Sequence, residues 1–223
     1  MTENTDALAI FDTFKTKSMD LTAKAIRQRA IISALTGNVN SAEKTRTAIT
    51  RRITGSKEWK NTYSGVFLDI ERVLIPLGFV QEEGRMPLKR GPKALQEKGV
   101  PYYKLTRKGS IVAMALNDTS NVDAVLAECF TDMVKEEEEI KNTINMLYEI
   151  SPKLVRYLFE KYVRAYCKGK FEDLLPMNSS RFSGNDEFMI ILEEFLTNIP
   201  KTSKGDTTKI HNVIRQLLDQ AIH

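Results

Sequence analysis

The sequence predicts a mainly helical fold of the α+β class, with one small β element. Apolar residues recur at helical spacing through residues 22–77 and again beyond residue 121. Between these stretches, residues 78–106 change to the pattern of short strands, with glycine and proline at their ends. The longest unbroken apolar run, Ile111–Leu116, is far too short to cross a bilayer, and the first residues resemble no secretory signal. We therefore expect a cytoplasmic protein.

Two helices are predicted near the start of the chain. Leu8, Phe11 and Phe14 lie at helical spacing and indicate a short helix or arm within residues 1–19. A firmer helix over residues 22–36 ends before Gly37. Its apolar stripe consists of Ala25, Ile26, Ala30, Ile32 and Leu35.

Two further helices follow. Asn40 and Glu43 have the spacing of a capping box, which predicts a helix from about residue 42 to 53. After Gly55, a third helix of about residues 57–77 is predicted, and Gly78 follows its end. Its apolar stripe consists of Tyr63, Val66, Phe67, Ile70, Val73, Leu74 and Leu77.

Two strands come next. "GFVQEEG" and "PYYKLT" read as strands, and the segment between them, around residues 84–100, is too long for a tight turn. Thr106 is expected to cap a helix over residues 107–117. The resulting order is helix, helix, helix, strand, long basic loop, strand, helix.

This order resembles the winged helix-turn-helix domain of prokaryotic transcription regulators. The resemblance covers about residues 20–118 and rests on "GSKEWKNTYSGVFLDIERVLIPLGFV" and "YYKLTRKG". It implies a recognition helix over about 57–77 and a wing over about 79–106 that bind double-stranded DNA. A protein-interaction adaptor and an RNA-binding winged helix are the alternatives, because fold alone does not decide the partner.

The distribution of charge agrees with a polyanionic partner. Residues 21–110 hold 18 Lys and Arg against 7 Asp and Glu, whereas residues 121–223 hold 13 against 17. A solvated basic surface is the plainer explanation of the same excess. Together with the order of elements, the charge favours DNA contact.

The expected DNA contacts are small polar or cationic side chains of the second and third helices, the wing and the corner after it. They are Arg46, Arg51, Arg52, Lys57, Lys60, Asn61, Thr62, Tyr63, Ser64, Arg72, Arg85, Lys89, Arg90, Lys93, Arg107 and Lys108. We expect Gly65 to let the backbone approach DNA, and Asp69 and Glu71 to repel phosphate. Arg107 and Lys108 stand at a helix N-terminus, where an external anion would offset the unfavourable dipole.

The remainder, residues 119–223, is predicted to be a helical dimerisation or effector domain. One long helix over 121–149 carries an apolar seam of heptad type, at which the resemblance implies a homodimer. The seam consists of Leu126, Phe130, Met133, Glu137, Ile140, Ile144 and Leu147. Packing of this seam within the chain is an equal alternative. Further helices are predicted over about 152–167, with Pro152 at its first position, and over 186–199 and 207–222.

Enzymatic, metal-binding and cofactor-binding motifs are missing from the sequence. It has two histidines and two cysteines, and neither type occurs at ligand or nucleophile spacing. Cys129 and Cys167 are best explained as reduced thiols. Aromatic residues around Tyr162 and Tyr166 could line an effector pocket, although at helical spacing such a set more often belongs to the core. We therefore expect no enzyme and no cofactor.

Overall fold

The computed structural model describes residues 7–15, 18–37, 40–55, 59–87, 99–116 and 121–177. These residues are mainly helical and include one two-stranded antiparallel sheet, which confirms the α+β class in general. The chain forms two compact units, Met1–Thr131 and Asp132–His223. The predicted boundary lay near residue 118, but the helix Val122–Cys129 packs on the helix Arg107–Met114 and therefore belongs to the first unit.

The N-terminal residues 7–15 form a turn and an isolated bridge instead of the predicted helix. Thr13 pairs with Leu21, and Phe14 is 51% exposed although its spacing suggested an inward position. The amide of Ala9 donates to the Gln28 side chain at 2.9 Å. This segment therefore packs on the following helix as an extended arm.

Three helices form the body of the first unit. They are α1 (Ala23–Leu35), α2 (Arg46–Thr54) and α3 (Trp59–Asp69), and each packs against the other two. Thr22 caps α1, and Thr45, rather than Asn40, caps α2. The Glu43 amide donates to the Asn40 side-chain oxygen at 3.2 Å as expected, whereas the Glu43 carboxylate accepts from the Asn40 side-chain amide at 2.7 Å instead of from the backbone. These bonds close a turn before the helix begins.

A π-helical turn, Ile70–Leu74, continues α3 towards the sheet. Strands β1 (Val80–Met86) and β2 (Val100–Leu105) are antiparallel, with Val80 opposite Leu105, so the two predicted strands are confirmed. The segment before α2 also joins this sheet, because the amide of Tyr103 donates to the Lys44 carbonyl at 3.1 Å. The two strands are thereby attached to the helical body.

Helix α4 (Arg107–Met114) returns from the two-stranded sheet into the core. Thr106 caps it as predicted: its hydroxyl accepts from the Gly109 amide at 3.2 Å and donates to the Gly78 carbonyl at 2.5 Å. A Cβ at Gly109 would lie 2.1 Å from the carbonyl oxygen of Phe79. The "LGF" and "T-x-x-G" segments thus meet directly, and only glycine fits at that contact.

The prediction of one long helix over residues 121–149 is wrong. Helix α5 (Val122–Cys129) ends at Phe130, Asp132 takes a left-handed conformation (φ 51°), and a 3-10 turn, Lys135–Glu137, precedes α6 (Glu138–Ile150). The second unit begins within this break, so the two helices belong to different units.

Helices α6 and α7 (Pro152–Cys167) pack together in the second unit. Pro152 occupies the first turn of α7 as predicted, and Ser151 caps it. The Tyr162 hydroxyl donates to the carbonyl of Leu174 at 2.7 Å, which holds the following segment on α7. The predicted helices 186–199 and 207–222 lie outside the described residues. None of the described helices has the length and hydropathy needed to cross a membrane.

Candidate nucleic-acid interface

The exposed side of α3 and its π-helical continuation is the first part of the candidate interface. Ser64 and Arg72 are exposed, while Thr62 and Tyr63 are half-buried. Phe67 and Leu68 are 36% and 42% exposed, although Phe67 was expected in the apolar stripe. Lys60 and Asn61 lie in the first turn of α3, but their side chains, like Lys57, are outside the described part of the chain.

A polar network connects this helix with α2 and the wing. Arg46 Nε donates to the Tyr103 hydroxyl at 2.7 Å, and that hydroxyl donates to Glu71 at 2.9 Å. Arg46 also pairs with Glu71 at 3.2 Å and lies over the Phe67 ring at 4.6 Å. Burial of Tyr103, followed by its hydrogen bond to Glu71, raises the pKa of its hydroxyl well above the usual value. Arg46 therefore acts within the unit and holds three elements together, and Glu71 is already paired with a cation.

The opposite side of α3 faces α1. Asp69 is 3% exposed, forms an ion pair with Arg27 and accepts from Gln28 at 3.3 Å. A Cβ at Gly65 would lie 3.0 Å from the Arg27 guanidinium. The two expectations for these residues are therefore wrong: Gly65 makes room for Arg27 rather than for DNA, and Asp69 is buried and paired rather than turned towards a phosphate.

The strands of the wing carry balanced charge in their described part. Arg85 makes two hydrogen bonds to Glu82, at 2.6 and 3.0 Å. Glu83 lies 3.4 Å from Lys44 and 3.8 Å from Lys104. The net positive charge of the wing must come from its loop, and the predicted contacts Lys89, Arg90 and Lys93 lie there, outside the described residues.

The cations at the corner after the wing are bound inside the unit. Arg107 Nε donates to the carbonyl of Cys129 at 2.7 Å, at the C-terminus of α5. A cation is favourable at the C-terminus of α5. This contact offsets the unfavourable position of Arg107 at the N-terminus of α4, so an external anion is not needed there. Lys108 is half-buried, with its side chain close to Gly78.

Arg51 and Arg52 are both exposed on α2. Arg52 donates to the Ala34 carbonyl at 3.0 Å, which turns it towards α1. The structure therefore assigns several of the sixteen predicted contacts to two different groups. Thr62, Tyr63, Ser64 and Arg72 lie on α3 and its extension. Arg46, Arg52, Arg85 and Arg107 make hydrogen bonds to other elements or side chains of the first unit.

The predicted dimer seam is divided between the two units. Leu126 and Phe130 are buried in the first unit, and Met133 is half-buried in the second. Ile140, Ile144 and Leu147 are buried on α6. Because the helix is broken and these side chains are buried, they do not form one continuous seam, and packing within the chain explains them.

Glu137, the one polar residue of that seam, is completely buried in the second unit. Its carboxylate accepts from the backbone amides of Val134 at 3.0 Å and Met177 at 2.7 Å. It thus fixes the turn before α6 and the segment after α7. No spacing in the sequence could have indicated this role, because Met177 is distant along the chain.

No group of three metal-ligating side chains occurs among the described residues. Comparisons with models of protein families, with curated proteins and with solved structures found no match for this chain.

Proposed function

We propose that this chain binds double-stranded DNA and regulates transcription, with α3 entering the major groove and the wing lying along the phosphate backbone. The observation that carries the proposal is the exposed ridge of α3 and its π-helical continuation, where Ser64, Leu68 and Arg72 recur at a spacing of four residues beside a two-stranded wing. Residues at these spacings share one helical face. Small polar and cationic residues on such a face can contact base edges and phosphates.

Three features support this proposal. The network of Arg46, Tyr103 and Glu71 fixes the wing and α3 relative to each other. A protein that contacts the major groove and the phosphate backbone of one duplex needs its two contact surfaces held in this way. Pairing of Asp69 and Glu71 with arginines removes the repulsion that these carboxylates would exert on phosphate. The excess of cations over residues 21–110 supplies long-range attraction to a polyanion.

A protein-interaction adaptor is the second candidate. Phe67 and Leu68, both more than a third exposed on α3, favour it, because exposed aromatic and apolar side chains are typical of the core of protein interfaces. In a DNA-binding domain the same side chains would contact thymine methyl groups. The predicted homodimer would need a surface other than the seam of α5 and α6.

A salt titration of the intact protein with a fluorescent DNA duplex tests the proposal. We expect the logarithm of the association constant to fall linearly with the logarithm of salt concentration, by about 0.9 per phosphate neutralised. Simultaneous replacement of Lys89, Arg90 and Lys93 by alanine should reduce the slope by about three and weaken binding to all sequences alike. Lys153→Ala, an exposed cation at the start of α7, is the matched control and should leave the slope unchanged.

Negligible binding at low salt, or binding without a salt slope, contradicts the proposal. Competition with duplex RNA separates the polyanions, because an RNA-binding domain would prefer the A-form helix. For the adaptor, partners would be retained by the intact protein after nuclease treatment and lost on Leu68→Ser. Arg72→Ala should weaken DNA binding while leaving such partners bound.

A further inference from the structure

Helix α1 has a second, partly apolar face that the described residues of the first unit leave exposed. Its inward face buries residues such as Ala25, Ile31 and Leu35, whereas Ile26 is 54% exposed and Ala30 is half-buried. The predicted stripe had placed Ile26 and Ala30 inside. Ile26, Ala30 and Ser33 are spaced by four and three residues, so they share one side of the helix.

This face is one wall of an open groove of about 530 Å³ between α1 and α2. The residues that line it are Leu21, Ile26, Arg29, Ala30, Ser33, Ala34, Arg52 and Ile53. Five of these eight are apolar and two are arginines, while none is acidic. The alanines and the serine leave room for the backbone of a second element to approach α1 closely.

The two arginines differ in how they are held. Arg52 donates to the Ala34 carbonyl at 3.0 Å, which fixes its guanidinium beside α1 and leaves further N–H groups to donate. Arg29 makes no hydrogen bond or ion pair with any residue that the structure describes. A guanidinium is an efficient partner for a carboxylate, since its planar fork can donate two parallel hydrogen bonds.

We propose that this groove binds an acidic amphipathic helix of a partner protein. A groove between helices that carries both apolar and cationic side chains can accept a helix whose apolar residues recur at positions such as i, i+4 and i+7 and whose flanking residues are acidic. Those residues would cover Ile26, Ala30 and Ile53, and flanking carboxylates would pair with Arg29 and Arg52. A phosphate backbone would satisfy the arginines but leave Ile26, Ala30 and Ile53 uncovered, so these three apolar side chains favour a protein over nucleic acid.

The proposal is independent of DNA binding by α3, because none of the groove residues lies on α3 or the wing. It assigns one role to Ile26 and Arg29 that packing among the described residues does not explain. A regulator with such a groove would contact a second protein through α1 and α2 while α3 remains available to DNA.

Fluorescence anisotropy with a designed peptide tests the inference. The probe is a fluorescein-labelled helix of about five turns, with leucine at every third or fourth position and glutamate or alanine elsewhere. Ile26→Gln should weaken its binding to the full-length protein by about tenfold, because half of an isoleucine side chain no longer gains burial. Arg29→Gln should weaken binding by about threefold, the effect of one partly exposed ion pair.

Matched controls separate the groove from general properties of the protein. Met146→Gln removes a comparably exposed apolar side chain, 44% exposed on α6, and Lys153→Gln removes one exposed cation. Both should bind the peptide as the unmodified protein does. A peptide with serine in place of leucine should bind at least tenfold more weakly, as should one with lysine in place of glutamate.

Three results would overturn the inference. They are equal binding of the serine and leucine peptides, equal loss in the control and groove variants, and the absence of peptide binding. Ile26→Gln and Arg29→Gln should also keep the affinity of the unmodified protein for duplex DNA within about twofold. A parallel loss of DNA binding would assign the groove to nucleic acid and refute the helix, whereas failure of DNA binding in every variant would refute only the DNA-binding proposal.

Discussion

Replacement of Gly109 by alanine tests the contact that joins the wing to α4. The added Cβ would lie 2.1 Å from the Phe79 carbonyl oxygen and 3.1 Å from the Leu105 Cβ. An ordinary carbon–oxygen contact is about 3.3 Å or longer, so the backbone must shift by about 1 Å. The shift would stretch the hydrogen bond between the Thr106 amide and the Phe79 carbonyl, now 3.0 Å long.

Overpacking of this kind costs about 1–3 kcal/mol, and the disturbed hydrogen bond adds about 1 kcal/mol. The better helix propensity of alanine returns about 1 kcal/mol. We therefore expect Gly109→Ala to lower the free energy of unfolding by about 1–3 kcal/mol, measured by urea denaturation with circular dichroism. An unchanged urea midpoint would refute this explanation of the "T-x-x-G" motif.

Gly65→Ala is the matched control for Gly109→Ala. Its Cβ would also meet a neighbour, at 3.0 Å, but that neighbour is the end of the Arg27 side chain rather than a backbone carbonyl. The gain in helix propensity should offset the displacement of Arg27, so we expect a change of less than about 1 kcal/mol. A loss as large as that of Gly109→Ala would show that any glycine-to-alanine change in this unit is costly.

Three further predictions concern single side chains. Thr106→Ala removes both the cap of α4 and the bond to the Gly78 carbonyl, and should cost about 2 kcal/mol in the same denaturation experiment. Folding raises the pKa of Tyr103, so the stability that its protonated hydroxyl contributes is complete below about pH 10 and falls as the pH rises further. Tyr103→Phe should therefore make the free energy of unfolding fall less steeply between about pH 10 and 11. Burial raises the pKa of the Cys129 thiol, so an aromatic disulfide reagent should modify the half-buried Cys167 in the native protein, and Cys129 only after unfolding.

The elements that the sequence predicted well are those with local signals. Thr106 is followed three residues later by a glycine at which the chain packs closely, and the strands on either side of the wing loop alternate as short strands do. Caps and alternation act over a few residues, so they can be recognised without knowledge of the tertiary structure. The same holds for Pro152 at the start of α7.

The break between α5 and α6 could not be recognised in this way. Residues 130–134 contain neither glycine nor proline, and the four-and-three spacing of apolar residues continues across them. The break instead reflects tertiary packing, because α5 belongs to the first unit and α6 to the second. Glu137 was the one residue of the seam that argued against a continuous coiled coil, since a buried carboxylate requires hydrogen-bond donors that a coiled coil does not supply.

The roles of the charged residues depended on partners far along the chain. Arg46 bonds to a residue 57 positions away, Arg27 to one 42 positions away and Arg107 to one 22 positions away. A sequence shows that such residues are charged but not whether their charge is used internally. For this reason the predicted DNA contacts included several arginines that bind within the first unit.

Hydrogen exchange of the full-length protein, with and without a duplex DNA that it binds, tests the central claim most directly. We predict slower exchange on DNA binding in α3 with its π-helical turn, residues 59–74, and in the wing between residues 80 and 105. The groove face of α1 and the helices α6 and α7 should exchange at unchanged rates. Protection confined to α1 or to the second unit, with α3 and the wing unaffected, would contradict the proposal that this surface binds DNA.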